Sequence, residues 1–291
     1  MTEQVPPLRD PVMVAAFEGW NDAGEAASGA VAHLERVWDA HPLVALDPEE
    51  YHDFQVSRPQ VHLDADGARQ ITWPTTRLSW ARPEGSARDV VLVRGIEPSM
   101  RWRTFCTEIL GHAGRLKVGT LVTLGALLAD VPHTRPIPVS TTTDDARLLS
   151  RLAIEPSKYE GPTGIVGVLH DAARKAGLPG LSLWAAVPHY VGSSPSPKAM
   201  LALLRRIEEL LDATVPLEDL PEDARAWERG VDELAEEDGE IGEYVRALEQ
   251  AKDTAELPEA SGEAIAREFE RYLRRRRDDG EPGRSGRDRL G

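Results

Sequence analysis

The stretch from Val12 to Glu25 constrains the fold most, because it predicts a buried strand, a tight loop and the start of a helix. Val12 to Phe17 is an apolar run without alternation, typical of a strand buried on both faces of a parallel sheet. Gly19 allows the backbone to turn. Asp22 is a good helix N-cap, and Glu25 three residues later predicts an acidic capping box. The helix that follows should bury one apolar stripe, formed by Ala27, Val31, Leu34 and Trp38.

The loop also contains Asn21, the only asparagine among the 291 residues. Two interpretations remain open at this point. Asparagine tolerates a left-handed backbone conformation, which a tight loop can require. The side chain can instead serve in binding or at an interface. Beyond the loop, the small residues Gly24, Ser28 and Gly29 are expected to let the helix lie close to the sheet.

The rest of the first 213 residues alternates strands with helices, which predicts a three-layer α/β/α sandwich. Gly95 and Gly125 are expected to end their strands, and Pro98 to occupy the first turn of a helix. Asp66-Gly67 predicts the turn of a β-hairpin inserted near residues 60–74. The predicted strands are residues 12–17, 43–46, 89–94, 118–128 and 181–187, and the helices after the first include 146–152, 165–176 and 198–211.

The C-terminal part differs in composition from the core. Residues 1–213 are predicted to form the core domain, 214–277 an acidic helical extension, and 278–291 a disordered tail. Helices are expected at about 220–236, 241–252 and 259–277. The first two each carry one narrow apolar stripe, so we expect the C-terminal helices to pack on the core or on a neighbouring subunit.

Charge and composition exclude several classes of protein. The net charge is −15, and residues 218–260 hold sixteen Asp or Glu against four Lys or Arg, so nucleic acid is not an expected partner. No apolar run approaches the roughly 18 residues that a membrane helix needs. With no signal peptide visible, a cytoplasmic location is expected. Cys106 is the only cysteine, which excludes an intrachain disulfide and predicts a core residue.

Ligands of open α/β sheets bind beyond the carboxyl ends of the strands. The sequence has no nucleophile elbow, complete P-loop or metal-ligating spacing, so no catalytic residue, metal or cofactor is assigned. Charged residues and histidines at strand ends can instead cap a helix, form an ion pair or make a structural hydrogen bond, without any binding role. The candidate ligand or interface residues at these strand ends are Glu18, Gly19, Trp20, Asn21, Asp22, Arg94, Glu97, His189 and Tyr190.

Four motifs together resemble the prokaryotic branch of the proteasome assembly chaperone family, including its actinobacterial members. The resemblance covers about residues 10–212 and implies an α/β/α domain of the phosphorylase/hydrolase-like kind that assembles as a trimer. Chaperone function belongs to distant relatives, whose C-terminal tails carry a hydrophobic-Tyr-x pattern that Asp288 to Gly291 lack. The motifs are FEGWNDAG at 17–24, LDPEEYHDF at 46–54 with Arg58-Pro59, RGIEP at 94–98 and GPTG at 161–164.

Two functional hypotheses follow from the residues and the resemblance. The first is a non-enzymatic, oligomeric assembly or interaction protein, with a proteasome-related or other protein partner. The second is a small-molecule hydrolase or phosphorylase-like enzyme that uses Glu18, Arg94 and His189 in a pocket at the strand ends. Fold alone does not choose between them.

Overall fold

A central sheet of seven strands organises the chain. The computed structural model describes residues 6–154 and 156–254. The strand order in the sheet is β2-β5-β6-β1-β7-β9-β8, and β3 and β4 form a separate hairpin. The strands are β1 (Val12–Glu18), β2 (His41–Ala45), β3 (Gln60–Leu63), β4 (Arg69–Thr72), β5 (Arg77–Ala81), β6 (Val90–Ile96), β7 (Thr120–Ala129), β8 (Val139–Thr142) and β9 (Gly180–Pro188).

The centre of the sheet is parallel and its edges are antiparallel. Strand β1 pairs in parallel with β6 and β7, and β7 pairs in parallel with β9. The edge pairs β2–β5, β5–β6 and β8–β9 are antiparallel. Val12 to Phe17 are all buried, as the apolar run predicts for a central strand.

Helices cover both faces of the sheet, which confirms the predicted three-layer α/β/α fold class. On one face, α1 and α6 pack on Val12, Val14 and Ala16; on the other, α3 and α5 pack on Met13, Ala15 and Phe17. The predicted stripe of α1 is buried. The helices are α1 (Ala26–Val37), α2 (Pro48–Tyr51), α3 (Trp102–Arg115), α4 (Ala146–Leu152), α5 (Ile165–Lys175), α6 (Pro197–Leu211), α7 (Leu220–Glu237) and α8 (Gly239–Thr254).

Three local predictions about strand and helix ends are wrong. Gly95 and Gly125 lie inside β6 and β7 rather than at their ends. Both make room for a neighbour: a Cβ on Gly95 would lie 2.3 Å from the Thr76 hydroxyl, and one on Gly125 would lie 2.4 Å from the Trp184 ring. Helix α3 begins at Trp102, so Pro98 belongs to the preceding loop. Strand β5, which follows Pro74, was not predicted from the sequence.

The start of α1 also differs from the prediction. Asp22 does cap the helix, because its carboxylate accepts hydrogen bonds from the amides of Ala27 (2.7 Å) and Ser28 (3.2 Å). Glu25 has left-handed backbone angles and makes no side-chain cap, so there is no capping box. Gly24 and Gly29 lie against Ser196 and Met200. These two small residues therefore make room for α6 and its preceding loop rather than for the sheet.

A buried carboxylate ties the N-terminal segment to β6. Asp89 directly precedes the strand and accepts hydrogen bonds from the side chains of Arg9 (2.7 Å) and Arg82 (2.8 Å). Burial would raise the pKa of Asp89, but the hydrogen bonds from Arg82 and Arg9 outweigh it and hold the pKa well below its ordinary value. Cys106 is buried in α3, which raises the pKa of its thiol to about 11 and agrees with a core role.

The two C-terminal helices pack on the core, with α7 lying against α6 and α8 against α7. Val231 of α7 is buried, and polar contacts add to the packing. The Tyr244 hydroxyl donates to Asp130 (2.8 Å), and Lys198 pairs with Glu228 (2.6 Å). The predicted helix at 259–277 and the tail at 278–291 lie outside the described residues, and the division into domains stays a prediction. No helix in the described ranges is long and apolar enough to cross a membrane.

Candidate functional site

The loop after β1 is fixed by backbone hydrogen bonds at the carboxyl edge of the sheet. The Asp22 amide donates to the Gly19 carbonyl (3.1 Å), and the Ala126 amide of β7 donates to the Asn21 carbonyl (2.8 Å). Asn21 is not among the residues with positive φ, so the left-handed interpretation of this asparagine is wrong. Its side chain is 3% exposed, and its Nδ2 atom has no hydrogen-bond partner.

Glu97 joins three segments at the same edge. Its backbone amide donates to the Glu18 carbonyl (2.9 Å), which continues the pairing of β6 with β1. Its carboxylate accepts hydrogen bonds from the Ile165 amide (2.8 Å) at the start of α5 and from the Trp20 amide. Burial raises the pKa of Glu97, although these two amide hydrogen bonds act in the opposite direction. Glu97 therefore holds the predicted loop in place against α5.

Glu18 and Arg94 lie near each other, but Arg94 is engaged elsewhere. The Arg94 guanidinium donates to the Glu35 carboxylate of α1 (2.7 Å). Partial burial raises the pKa of Glu18; the Arg94 charge acts against that rise, and Asp22 and Glu25 add to it. Burial likewise raises the pKa of Asp22, against the hydrogen bonds that its carboxylate accepts from Ser28 and Ala27.

His189 and Tyr190 lie in a different environment, beneath the C-terminal helices. His189 Nδ1 is 3.5 Å from the Asp130 carboxylate, and its ring lies 5.1 Å from the Tyr244 ring. The Tyr190 hydroxyl bonds to the amide and Nδ1 of His133, both at 2.8 Å. The contacts of His189 thus differ from those of Glu18 and Arg94, so the structure does not bring the residues of the enzyme hypothesis into one cluster.

A cavity of about 340 Å³ opens beside Asn21, on the face of the sheet that carries α5. The sequence did not indicate its other walls, because they come from separate segments. One signal in the sequence points to this wall, because Ser182 and Trp184 interrupt the small and aliphatic residues of β9 and lie on the same face of the strand. The side chains around it include Asn21, Thr143, Asp144, Tyr159, His170, Ser182 and Trp184.

The Ser182 hydroxyl does not have the geometry of an activated nucleophile. It lies 2.7 Å from the Thr123 hydroxyl and 3.4 Å from His170 Nδ1, while His170 Nε2 is 4.0 Å from the Asp144 carboxylate. An activated hydroxyl needs a base within close hydrogen-bond reach, and that base needs an orienting partner. The described residues also contain no group of three His, Cys, Asp or Glu residues placed to hold a metal.

Comparison with known proteins gives close relatives among solved structures. A PAC2 family protein from Streptomyces avermitilis is 63% identical, over 81% of this chain and 100% of that chain, with a TM-score of 0.77. A proteasome-assembly chaperone homologue from Mycobacterium tuberculosis is 55% identical, over 80% of this chain and 99% of that chain, with a TM-score of 0.73. No curated protein matches the sequence.

More distant structures share the fold alone. An archaeal homologue of proteasome-assembly chaperone from Pyrococcus furiosus is 17% identical, over 86% of this chain and 98% of that chain, with a TM-score of 0.56. The family assignment rests instead on the sequence profile of the PAC2 family, which matches residues 16–235 and so more than half of the chain. This match and the two close relatives confirm the predicted family, and the chain belongs to the PAC2 family.

Proposed function

We propose that the protein is a non-enzymatic, oligomeric assembly protein with a chaperone-like role. The observation that supports this proposal best is the apolar hairpin face, the side of the β3–β4 hairpin that carries Val61, Leu63, Ile71 and Trp73. Val61 and Ile71 are paired directly across the hairpin and are 53% and 56% exposed, and Leu63 is 67% exposed. Contiguous exposed apolar side chains of this kind mark interaction surfaces.

The apolar side chains lie on one face of the hairpin, together with Arg69, which is paired with Leu63. Gln60, His62, Gln70 and Thr72 alternate with them and lie on the opposite face. Five of the seven large apolar side chains that are exposed in the described ranges lie in the hairpin or in the residues beside it, between positions 56 and 73. A two-stranded hairpin is marginally stable by itself, and β3–β4 does not pair with the central sheet. Burial of its apolar face against another chain would stabilise it.

The partner on this face is, in our proposal, another copy of the same chain, with a trimer as the expected assembly. A proteasome-related protein is the proposed client of that assembly, because the relative from M. tuberculosis, 55% identical, is called a proteasome-assembly chaperone homologue. The site of action is proposed to be the cytoplasm. The contacts of Arg94 with Glu35 and of His189 with Asp130 favour this proposal over the enzyme hypothesis.

Light scattering on the full chain tests the oligomeric part. We expect the wild type to have about three times the mass of one chain, which is 32.0 kDa. The double variant Leu63→Ser, Ile71→Ser should shift toward the monomer mass while its circular dichroism spectrum stays that of the wild type, because both side chains are exposed on the single chain. The matched control His62→Ser, Gln70→Ser alters the polar face and should keep the wild-type mass. A monomeric wild type, or a double variant that keeps the wild-type mass, would contradict the proposal.

A pull-down from the native cell tests the client. Tagged wild type and the polar-face control should recover proteasome subunits, while the apolar-face variant should recover fewer. If all three proteins recover equal amounts of proteasome subunits, client binding does not depend on the apolar hairpin face. If no proteasome subunit is recovered with the wild type, the proteasome-related client is wrong.

A further inference from the structure

A second cavity lies at the edge of the sheet, on the face that carries α1, and its use as a binding site goes beyond the proposed assembly function. Its volume of about 380 Å³ lies in the range of small-ligand pockets. The edge strand β2 forms one wall, and residues of β5, β6 and α1 form the others. The apolar hairpin face contributes no residue to this lining.

Two arginines lie directly opposite each other in this cavity. Arg77 of β5 is paired with Arg94 of β6 in the antiparallel register, so their side chains leave the same face of the sheet about 5 Å apart. Like charges in this position destabilise a sheet. Both residues line the cavity; Arg77 is exposed, and the side chain of Arg94 is 35% exposed. A molecule in the cavity can therefore reach both side chains.

The one acid in the lining does not balance both arginines. Glu35 accepts hydrogen bonds from Arg94 Nε (2.7 Å) and from the Ser79 hydroxyl (3.1 Å). The Arg77 side chain forms no ion pair or hydrogen bond with any residue in 6–154 and 156–254. Two arginines and one glutamate give the lining a net charge of +1. A guanidinium group without an acceptor is suited to an oxyanion, to which it can donate two parallel hydrogen bonds.

The charges around the cavity favour a ligand with a single negative charge. Glu18, at the end of β1, is close enough to Arg94 for the two charges to interact, although it does not line the cavity. Glu35 and Glu18 would both repel a phosphate group, which carries about 1.5 to 2 negative charges at neutral pH. One carboxylate group instead matches the net charge of the lining.

The wall formed by β2 supplies an apolar surface next to the arginines. The pairing of β2 with β5 shifts in register between Pro42 and Val44, and a bulge of this kind bends an edge strand. Apart from Ser79 and the three charged residues, the lining consists of Ala40, Pro42, Leu43, Val44, Ala45 and Leu78.

We propose that this cavity binds a small carboxylate that carries a short apolar chain. The carboxylate lies between the guanidinium groups of Arg77 and Arg94 and accepts hydrogen bonds from them. Its negative charge removes the repulsion between the two arginines. The apolar chain lies against the wall formed by β2.

Ligand-observed NMR titration of the full chain with butyrate as the probe tests the proposal. The matched control ligand is butyramide, which has nearly the same shape and no charge. We expect butyrate to bind with a Kd in the millimolar range, and butyramide to bind at least about tenfold more weakly. Inorganic phosphate should also bind more weakly than butyrate. No binding of butyrate at about 10 mM, equal binding of butyrate and butyramide, or tighter binding of phosphate would overturn the proposal.

Three variants assign the binding group. Arg77→Gln should weaken butyrate binding at least about tenfold, and it should not lower the melting temperature, because it removes the like charge opposite Arg94. Arg77→Lys keeps the charge but cannot donate two parallel hydrogen bonds, so it should bind butyrate less tightly than the wild type. Arg103→Gln makes an equal change of charge on the exposed surface of α3 and should bind butyrate as the wild type does. The proposal is wrong if Arg77→Gln binds butyrate as the wild type does, or if Arg103→Gln weakens binding equally.

Discussion

Replacement of Glu97 by alanine should loosen the loop after β1, because the Glu97 carboxylate joins that loop to α5. The variant leaves two amides, those of Ile165 and Trp20, without their acceptor. A hydrogen bond to a charged group contributes roughly 1.5 to 3 kcal/mol, so two of them give a gross effect of about 3 to 6 kcal/mol. The variant also removes the cost of burying the carboxylate, which offsets part of the lost hydrogen-bond energy. The expected net loss is about 2 to 4 kcal/mol.

The assay is urea unfolding followed by circular dichroism at one fixed protein concentration. We expect the midpoint of Glu97→Ala to fall while the slope stays unchanged, as for a pure change of stability. Thermal unfolding should show a decrease of about 5 to 10 °C. Glu97→Gln keeps one acceptor oxygen and should lose less, and Glu84→Ala, in an exposed loop, should match the wild type. If Glu97→Ala unfolds with the wild-type midpoint, the carboxylate does not hold the loop.

The pH dependence of the same variants gives an independent check. Burial raises the folded-state pKa of Glu97 above its ordinary value of 4.5, so the folded state binds this proton more tightly than the unfolded state. The Glu97 contribution to stability therefore decreases as the pH rises from below 4.5 through the folded-state pKa. Glu97→Gln removes this titration, and its free energy of unfolding should fall less steeply with pH between about 4 and 6. A slope identical to that of the wild type would contradict the assignment.

Three further predictions concern the core and the C-terminal helices. Gly125→Ala should destabilise the fold by about 1 to 3 kcal/mol, because its Cβ meets the Trp184 ring. Gly230→Ala should stabilise the fold by about 0.5 to 1 kcal/mol, because the space around this position of α7 is open. Unfolding midpoints that shift in the same direction for the two variants would contradict this pair. Asp89→Asn should lower the free energy of unfolding by about 2 to 3 kcal/mol at neutral pH. The difference in free energy of unfolding between this variant and the wild type should shrink below pH 3.8, because the lowered pKa of Asp89 makes its contribution disappear on protonation. Residues 1–213 expressed alone should melt at a lower temperature than the full chain, since α7 covers part of α6; an unchanged melting temperature would show that the C-terminal helices add no stability.

The central strands could be predicted because each of them is a continuous apolar run. Val12 to Phe17 is buried on both faces, and burial on both faces is what removes the polar residues from every second position. Strand β5 has no such run and follows a proline, and its place between β2 and β6 depends on long-range pairing. Gly125 was misplaced because a glycine that ends a strand and one that accommodates an aromatic ring look the same in sequence.

The candidate site could be predicted only in part. The strand-end rule placed Asn21 and Glu97 at the correct edge of the sheet. The partner of the Glu97 carboxylate is the amide of Ile165, which is 68 positions away, and no local pattern reveals that contact. His189 was also placed at a strand end, but its neighbours Asp130 and Tyr244 come from elements whose packing the sequence does not specify.

The account depends most on the apolar hairpin face as the contact between copies of the chain. Hydrogen exchange of the full chain, measured by mass spectrometry at low and high protein concentration, tests this directly. We predict that amides in Gln60–Leu63 and Arg69–Thr72 exchange more slowly at high concentration, and that the Leu63→Ser, Ile71→Ser variant shows no such change. Exchange in these two strands that is independent of concentration, while the mass in solution increases, would contradict the account by placing the contact elsewhere.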